Sequence, residues 1–400
     1  MRILLLCQGN PETLDSWSGS TFRLLHALRA AGHTVIPGDV EPAGIKRWDV
    51  AARSFSPDRR RWWVRFTLGE AGFGVRSERA ARHVDRHRSR IDLILQIGAT
   101  FRVKNREDIP LVLYCDASID MATEGAAEGA SEAAVLTSTE VQEIRGREAP
   151  VYHAADLIFT MSHYLADSFE QRFGIPTNRL VTIHTGANDG PKDGEVHRHR
   201  STPPRVLFVG RDFHRKGGEI MLRAFRKVQA RLPEARLDLV GPPPSRIPPP
   251  LLEGLRGVST PGFLSRATPA GRRAMDETYR AASLFCLPTR YEPFGTAFVE
   301  AMLYGLPTVG PRAWAVPEII ESGRTGQLAE PGDPDSFAGA MLELLQDPAG
   351  ARRMGIEARR VALDRFTWEA TVARMTPHLH RIVSRTRNRR GAESQGNWSG

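Results

Sequence analysis

The stretch Arg290-Tyr291-Glu292-Pro293-Phe294-Gly295-Thr296-Ala297-Phe298-Val299-Glu300 sets two carboxylates, Glu292 and Glu300, eight positions apart around a Pro-Phe-Gly turn. Upstream, Leu284 to Leu287 is an apolar run of strand length. Downstream, Thr296 to Tyr304 reads as a helix, closed by Gly305 and stopped by Pro307. Glu292 therefore falls on a strand-to-helix loop, and Glu300 falls inside the helix. The amides of Phe294, Gly295 and Thr296 become the open first turn of that helix, an anion site that glycine lets a ligand approach closely. A carboxylate on the loop, amides beside it and a second carboxylate within the helix suit a ligand carrying both hydroxyls and phosphate. A nucleotide sugar fits that description.

Working outward, the same strand–loop–helix order opens both halves of the 400-residue chain. In the first half an apolar strand (Ile3 to Cys7) leads to a Gly/Pro/Ser loop (Gly9 to Ser20), a helix from Thr21 and a second strand after Gly32-His33. In the second half Val206 to Val209 leads to Gly210, a polar loop through Gly218, a helix from Glu219 to Arg231 and a strand at Leu237 to Val240. Strands alternating with helices imply parallel sheets, so two such openings imply two Rossmann-like, doubly wound α/β domains. Ligands then belong at the carboxyl ends of the strands, in the cleft between the domains. The length also calls for two domains. Gly, Pro and charge concentrate from Asp189 to Pro204, a linker composition. The expected organisation is an acceptor-binding domain at 1–190, a linker at 189–204 and a nucleotide-sugar domain at 205–368. A terminal helix at 369–384 either closes the second domain or crosses back to the first. A basic tail without order is expected at 385–400.

The loop Gly210-Arg211-Asp212-Phe213-His214-Arg215-Lys216-Gly217-Gly218 follows a strand and opens a helix, a geometry that presents amides to phosphate. It is not a Walker loop, because the Gly-x4-Gly-Lys-Ser/Thr order is absent. It adds Arg211 and Lys216, and an arginine binds a diphosphate bidentately while a lysine supplies a compact charge.

Beyond Glu300 the chain continues Ala301-Met302-Leu303-Tyr304-Gly305-Leu306-Pro307, then Pro317-Glu-Ile-Ile320, Gly323-Arg-Thr-Gly326 and Pro331-Gly-Asp333. In that order these motifs resemble the retaining family 4 glycosyltransferases (glycosyl transferases group 1), which have the GT-B fold of two Rossmann-like domains facing each other across a cleft. The likeness covers the second half closely. The first half is covered loosely, through Trp17-Ser18-Gly19, the strand ending at Asp116 and Ala154-Ala-Asp156 before Met161-Ser162.

The resemblance implies transfer of a hexosyl unit from a nucleoside-diphosphate sugar to an acceptor hydroxyl with retention of anomeric configuration. It places Glu292 at the donor sugar near the reacting carbon, without making it a nucleophile, and Glu300 at the ribose hydroxyls. Arg211 and Lys216 hold the pyrophosphate and stabilise the charge that develops on it as it departs. Phe263 and Leu264 lie in the nucleotide-base loop, Phe294, Gly295 and Thr296 beside the phosphate, and Gly19 opposite the donor. Asp116 stands on the acceptor side, where related enzymes often carry histidine. No cofactor is implied, and with Arg211, Lys216 and a helix N-terminus at hand no metal is required. The alternatives are an epimerase of the same fold, or a non-catalytic protein that binds nucleotide sugars or nucleic acid.

Composition bounds these readings. A hydrophobic share of 41% with 25% charged residues is that of a globular protein. No apolar run approaches the roughly 18 residues of a membrane span. The three cysteines, Cys7, Cys115 and Cys286, are widely spaced, which argues against disulfides and zinc and for a cytoplasmic protein, with contact at a membrane periphery as its variant. The net charge of +9 is uneven: residues 46–90 hold thirteen Lys or Arg against five Asp or Glu. Arg59-Arg60-Arg61-Trp62-Trp63 within that block suits an anionic surface or acceptor, with nucleic acid the weaker competitor.

Overall fold

The computed structural model describes residues 1–14, 16–106, 109–127, 129–191 and 203–396, with side chains through residue 388. Most of the expected linker, at 192–202, and the last residues, 397–400, lie outside the described residues. The chain resolves into two compact units. The first takes in Met1–Ala127, Glu132–Gly186 and the chain from Trp368 onward; the second is Ala187–Thr367 with a short stretch ending at Ser131.

The first unit is built on six parallel strands: β1 (Arg2–Cys7), β2 (Thr34–Asp39), β3 (Leu93–Ile97), β4 (Leu111–Cys115), β5 (Leu157–Thr160) and β6 (Leu180–Thr182). Their order across the sheet is β2-β1-β3-β4-β5-β6. β3 and β4 are buried along their whole length, as apolar runs must be when helices cover both faces of a parallel sheet. Leu4, Leu6, Ile94, Leu113, Ile158 and Phe169 form the centre of the core. The chain steps from β1 to β2 on one side and then to β3 on the other, so the winding reverses between β1 and β3. Cys7 and Cys115 close their strands as buried free thiols, and Cys286 does the same in the second unit.

The final helix, Trp368–Gly396, belongs with this first unit. Met375 and Leu379 bury its inner face, and Arg374 Nε donates to the Ile183 carbonyl at 2.9 Å. It runs twelve residues past the expected end at 384, into the stretch read as a tail without order. Arginine is a good helix former, and no proline follows Pro377 to stop the helix, so basic composition did not prevent it.

The second unit carries β7 (Arg205–Val209), β8 (Arg236–Val240), β9 (Val258–Gly262), β10 (Leu284–Cys286), β11 (Thr308–Pro311) and β12 (Gly326–Ala329). All pairings are parallel and the order is β12-β11-β10-β7-β8-β9. This is a Rossmann-like arrangement whose winding reverses between β7 and β10. The loops after those two neighbouring strands therefore emerge side by side at the carboxyl edge, where doubly wound sheets bind ligands. They are the loops holding Arg211 and Lys216, and Glu292.

Gly217 fixes their spacing. It starts the helix Gly218–Arg231 at φ +73°, and a Cβ there would lie 1.8 Å from the Pro288 carbonyl oxygen. Only glycine accepts both the left-handed backbone and that approach. Replacing it, Gly217→Ala, is expected to cost about 2–4 kcal/mol and to lower Tm by on the order of 5–10 °C. Thermal unfolding measures this, and an unchanged Tm would show that the Pro288 carbonyl can yield.

Candidate functional site

Backbone contacts lace the two loops of the second unit together. The Arg290 amide donates to the Arg215 carbonyl at 2.9 Å, and the Arg290 guanidinium reaches Glu219 at 3.4 Å. Across this seam the Lys216 ammonium forms an ion pair with the Glu292 carboxylate, with side chains only 12% and 8% exposed. Burial penalises the ammonium and holds the Lys216 pKa below its ordinary value, while the charge of Glu292 and its hydrogen bond work the other way. Arg211 stands exposed at the start of the loop, its guanidinium 5.1 Å from the ring centre of Phe263. Phe263, just past β9, is itself 59% exposed, and Leu264 is half-buried.

The loop does not offer its amides as its strand-to-helix position suggested. Arg215 N–H donates to the Asp212 carboxylate at 2.9 Å, Lys216 N–H to the Asp212 carbonyl at 3.0 Å and Gly218 N–H to the Phe213 carbonyl at 2.7 Å. The tight turn uses these donors on itself. The helix Thr296–Leu303 differs. Gly295 precedes it at φ +114°, and no side chain caps its first turn. Thr296 is half-buried there, while the Phe294 side chain turns inward against Phe366, ring centres 6.0 Å apart.

Glu300 is buried within that helix, and Arg266 meets it bidentately, Nη1 to Oε1 at 2.8 Å and Nη2 to Oε2 at 2.7 Å. The Tyr279 hydroxyl donates to Oε2 at 3.4 Å, and the Tyr279 ring stacks on Tyr304 at 4.6 Å. The carboxylate is thus fixed in one rotamer by a planar fork.

In the first unit, Trp17, Ser18 and Gly19 all take left-handed backbone, with φ of 50°, 56° and 89°. For tryptophan and serine that conformation costs roughly 1 kcal/mol or more each and persists only where surroundings enforce it. Here the Trp17 ring stands edge-on to Tyr114 at 6.0 Å, and Ser16 Oγ donates to the Gln8 carbonyl at 2.9 Å. Gly19 stands at the N-cap of the helix Ser20–Ala30 in left-handed backbone. Asp116 follows β4 directly. Burial pushes its carboxyl up to about 6, with Glu132 adding to the rise. Burial likewise raises Glu148 to about 7, opposed by the Ile119 amide, which donates to it at 3.0 Å.

Residues 203–347 match the family model for glycosyl transferases group 1. The matched stretch is 145 of the 400 residues and lies in the second unit. The D-inositol 3-phosphate glycosyltransferase of Streptomyces avermitilis is 28% identical over 266 residues, taking in 62% of this chain and 56% of that protein. A GDP-mannose-dependent α-(1-6)-phosphatidylinositol monomannoside mannosyltransferase of Mycolicibacterium smegmatis is 27% identical over 268 residues, or 61% and 69% of the two chains. The chain thus spans little more than half the length of the first of these relatives and about two thirds of the second. In fold it is similar to the Anabaena HepE protein solved with UDP and glucose, at a TM-score of 0.60 and 18% identity over 95% of this chain and 99% of that one.

The second unit brings together Lys216 with Glu292 and Arg211 with Phe263. Glu300 has its own partner, Arg266. Gly19 and Asp116 lie in the first unit, each past the carboxyl end of a strand. Arg266, Tyr279 and Glu148 escaped the reading of the sequence. Only the position of Arg266, two residues beyond Leu264, gave any signal.

The raised carboxyls set a pH dependence. Asp116 and Glu148 have ordinary values of 3.8 and 4.5, so folding favours their protonated forms. Their contribution to stability is complete below those values and is lost as pH rises through about 6 and about 7. Glu148→Gln keeps an acceptor for the Ile119 amide. It is expected to raise Tm at about pH 8 by several degrees and to change it little near pH 4. Melting curves across that range test this, and a parallel shift at all pH values would contradict it.

Proposed function

We propose that this protein transfers a hexosyl group from a nucleoside-diphosphate sugar to an acceptor hydroxyl, with retention of configuration and without a metal. The buried Lys216–Glu292 pair, formed where the winding reverses and with Arg211 beside it, is the observation that carries this reading. Lysine has three N–H donors, so Lys216 can keep Glu292 with one and meet diphosphate oxygens with the others. Glu292 then faces the sugar hydroxyls, and Arg211 adds a bidentate contact to the diphosphate. As the bond from the anomeric carbon to the diphosphate breaks, Lys216, Arg211 and the uncapped turn at Gly295 and Thr296 stabilise the charge that develops. The proton of the acceptor hydroxyl passes to the departing phosphate oxygen on the same face of the sugar, which accounts for retention. Asp116 orients the acceptor hydroxyl, and Gly19 lets the donor approach the backbone of its loop.

Phe263 and Leu264 flank the base. Glu300, held by Arg266, accepts from the ribose diol through Oε1, which keeps a lone pair beyond the one its arginine uses, whereas Oε2 also accepts from Tyr279. The GDP-mannose dependence named for one relative and the UDP found with HepE support a nucleotide-sugar donor. The inositol-containing acceptors named for the relatives make a polyol hydroxyl the first acceptor class to try. Three buried free thiols support a cytoplasmic location.

A thermal-shift screen with UDP, GDP, ADP and dTDP in the presence of EDTA tests the donor site, because a ligand specific for the folded state raises Tm. One nucleotide is expected to shift it. Arg211→Ala and Lys216→Ala are expected to weaken that nucleotide by about 10- to 100-fold, the loss of one charge-assisted contact each. Wild-type affinity in both variants would sink the assignment, and a shift that EDTA abolishes would sink metal independence. Arg266→Gln loosens the Glu300 fork and is expected to reduce the preference for a ribonucleotide over its 2′-deoxy analogue by about tenfold, a ratio that a purely structural role would leave intact.

A further inference from the structure

Among the described residues, four large apolar side chains stand exposed within one short stretch of the first unit: Ile45 (87%), Trp48 (77%), Phe55 (60%) and Trp63 (59%). Exposed residues of this kind usually scatter singly over a surface, and a cluster marks an interaction site. The stretch folds as two helices, Ile45–Arg53 and Arg59–Leu68. On the first, Ile45 and Trp48 lie three apart on the outer side, with Val50 buried on the inner. On the second, Trp63 shares the outer side with Arg59 and Arg60, while Val64 is buried.

These side chains do not ride on a loose segment. Trp62 Nε1 donates to the Ala51 carbonyl at 2.9 Å, and its ring meets Phe55 edge-on at 5.6 Å. Arg65 Nη1 donates to the Phe55 carbonyl at 3.2 Å. Arg61 and Arg65 both reach Glu140, at 3.0 and 3.5 Å, which ties the second helix to the helix Ser138–Ala154. The inner faces are braced, and the apolar side chains project from a fixed platform. Between residues 45 and 65 the chain carries seven Lys or Arg against two Asp, and Asp58 is already used to cap the second helix.

We infer that this platform docks on an anionic lipid bilayer. The four apolar side chains enter the boundary between headgroups and acyl chains, while Lys46, Arg59 and Arg60 meet the lipid phosphates. Charge complementarity selects an anionic partner, and the apolar residues select lipid among anionic partners. A bilayer interface takes up Trp and Ile together with Lys and Arg. A soluble polyanion would leave Ile45 and Trp48 in water, and a nucleic acid could stack on the tryptophans but not on Ile45. Among the described residues no helix is long and apolar enough to cross a membrane, and the proposed contact is peripheral.

Sedimentation of the full chain with phosphatidylcholine vesicles, with and without phosphatidylglycerol, tests the inference. The protein is expected to pellet with the anionic vesicles and to release as salt rises. Trp48→Ser with Trp63→Ser is expected to lower the partition coefficient by about tenfold or more. Arg59→Gln with Arg60→Gln, an independent pair should the first fail to fold, is expected to lower it similarly. Neither pair touches the proposed donor site, so the Tm shift with nucleotide is expected to remain in both. The inference is overturned if the wild type stays in the supernatant, or if both variants that retain the native Tm bind vesicles as the wild type does. Tighter capture by a single-stranded oligonucleotide than by anionic vesicles at matched salt would overturn it in favour of nucleic acid.

Discussion

The second unit depends on the close seating of one loop against another. At the point where the winding reverses between β7 and β10, Gly217 rests on the Pro288 carbonyl, and the Arg290 amide closes on Arg215. That contact lets a lysine on the first loop meet a glutamate on the second. Withdrawing two opposite charges from water costs several kcal/mol, which the attraction between them offsets only when the geometry is good. A pair of hydrophobic residues would hold the same two loops at less cost. The charged pair therefore adds little to the stability of the fold.

The order of strands and helices was legible because glycine, proline and apolar runs punctuate both halves in the same way. The strand ending at Cys286, the loop carrying Glu292 and the helix from Thr296 follow from local chemistry alone. Partnerships were not legible. Lys216 and Glu292 are 76 positions apart, and Arg266 and Glu300 are 34 apart, so nothing in local pattern joins them. The amides of the 210–218 loop illustrate another limit. A strand-to-helix turn leaves amides open unless its own side chains and carbonyls take them, and here Asp212 and Phe213 do so. The last helix shows composition misleading in the opposite sense, since a basic stretch that looks unable to fold alone is made of good helix formers.

The first unit carries its signals in conformation more than in sequence. Trp17 and Ser18 hold strained backbone beside Gly19 because Tyr114 and the Gln8 carbonyl restrain their loop. The elevated carboxyls of Asp116 and Glu148 come from burial, and an acidic residue gives no sign in sequence of how deeply it will be placed. Asp116 was singled out by its position after a strand. Glu148, an ordinary glutamate in the middle of a helix, had no such mark.

The three cysteines close on a practical property. Each is a free thiol packed at or near the end of a strand, and burial pushes Cys7 up to about 12 and holds Cys115 and Cys286 well above the usual thiol range. The thiolate is the reactive form towards oxidants and alkylating reagents, and at neutral pH these sulfurs almost never present it. The three cysteines of the folded protein are in effect blank to thiol chemistry. A single cysteine introduced on its surface would be the one reactive handle on an otherwise silent background, so a probe could be attached at any chosen place without first removing the native thiols.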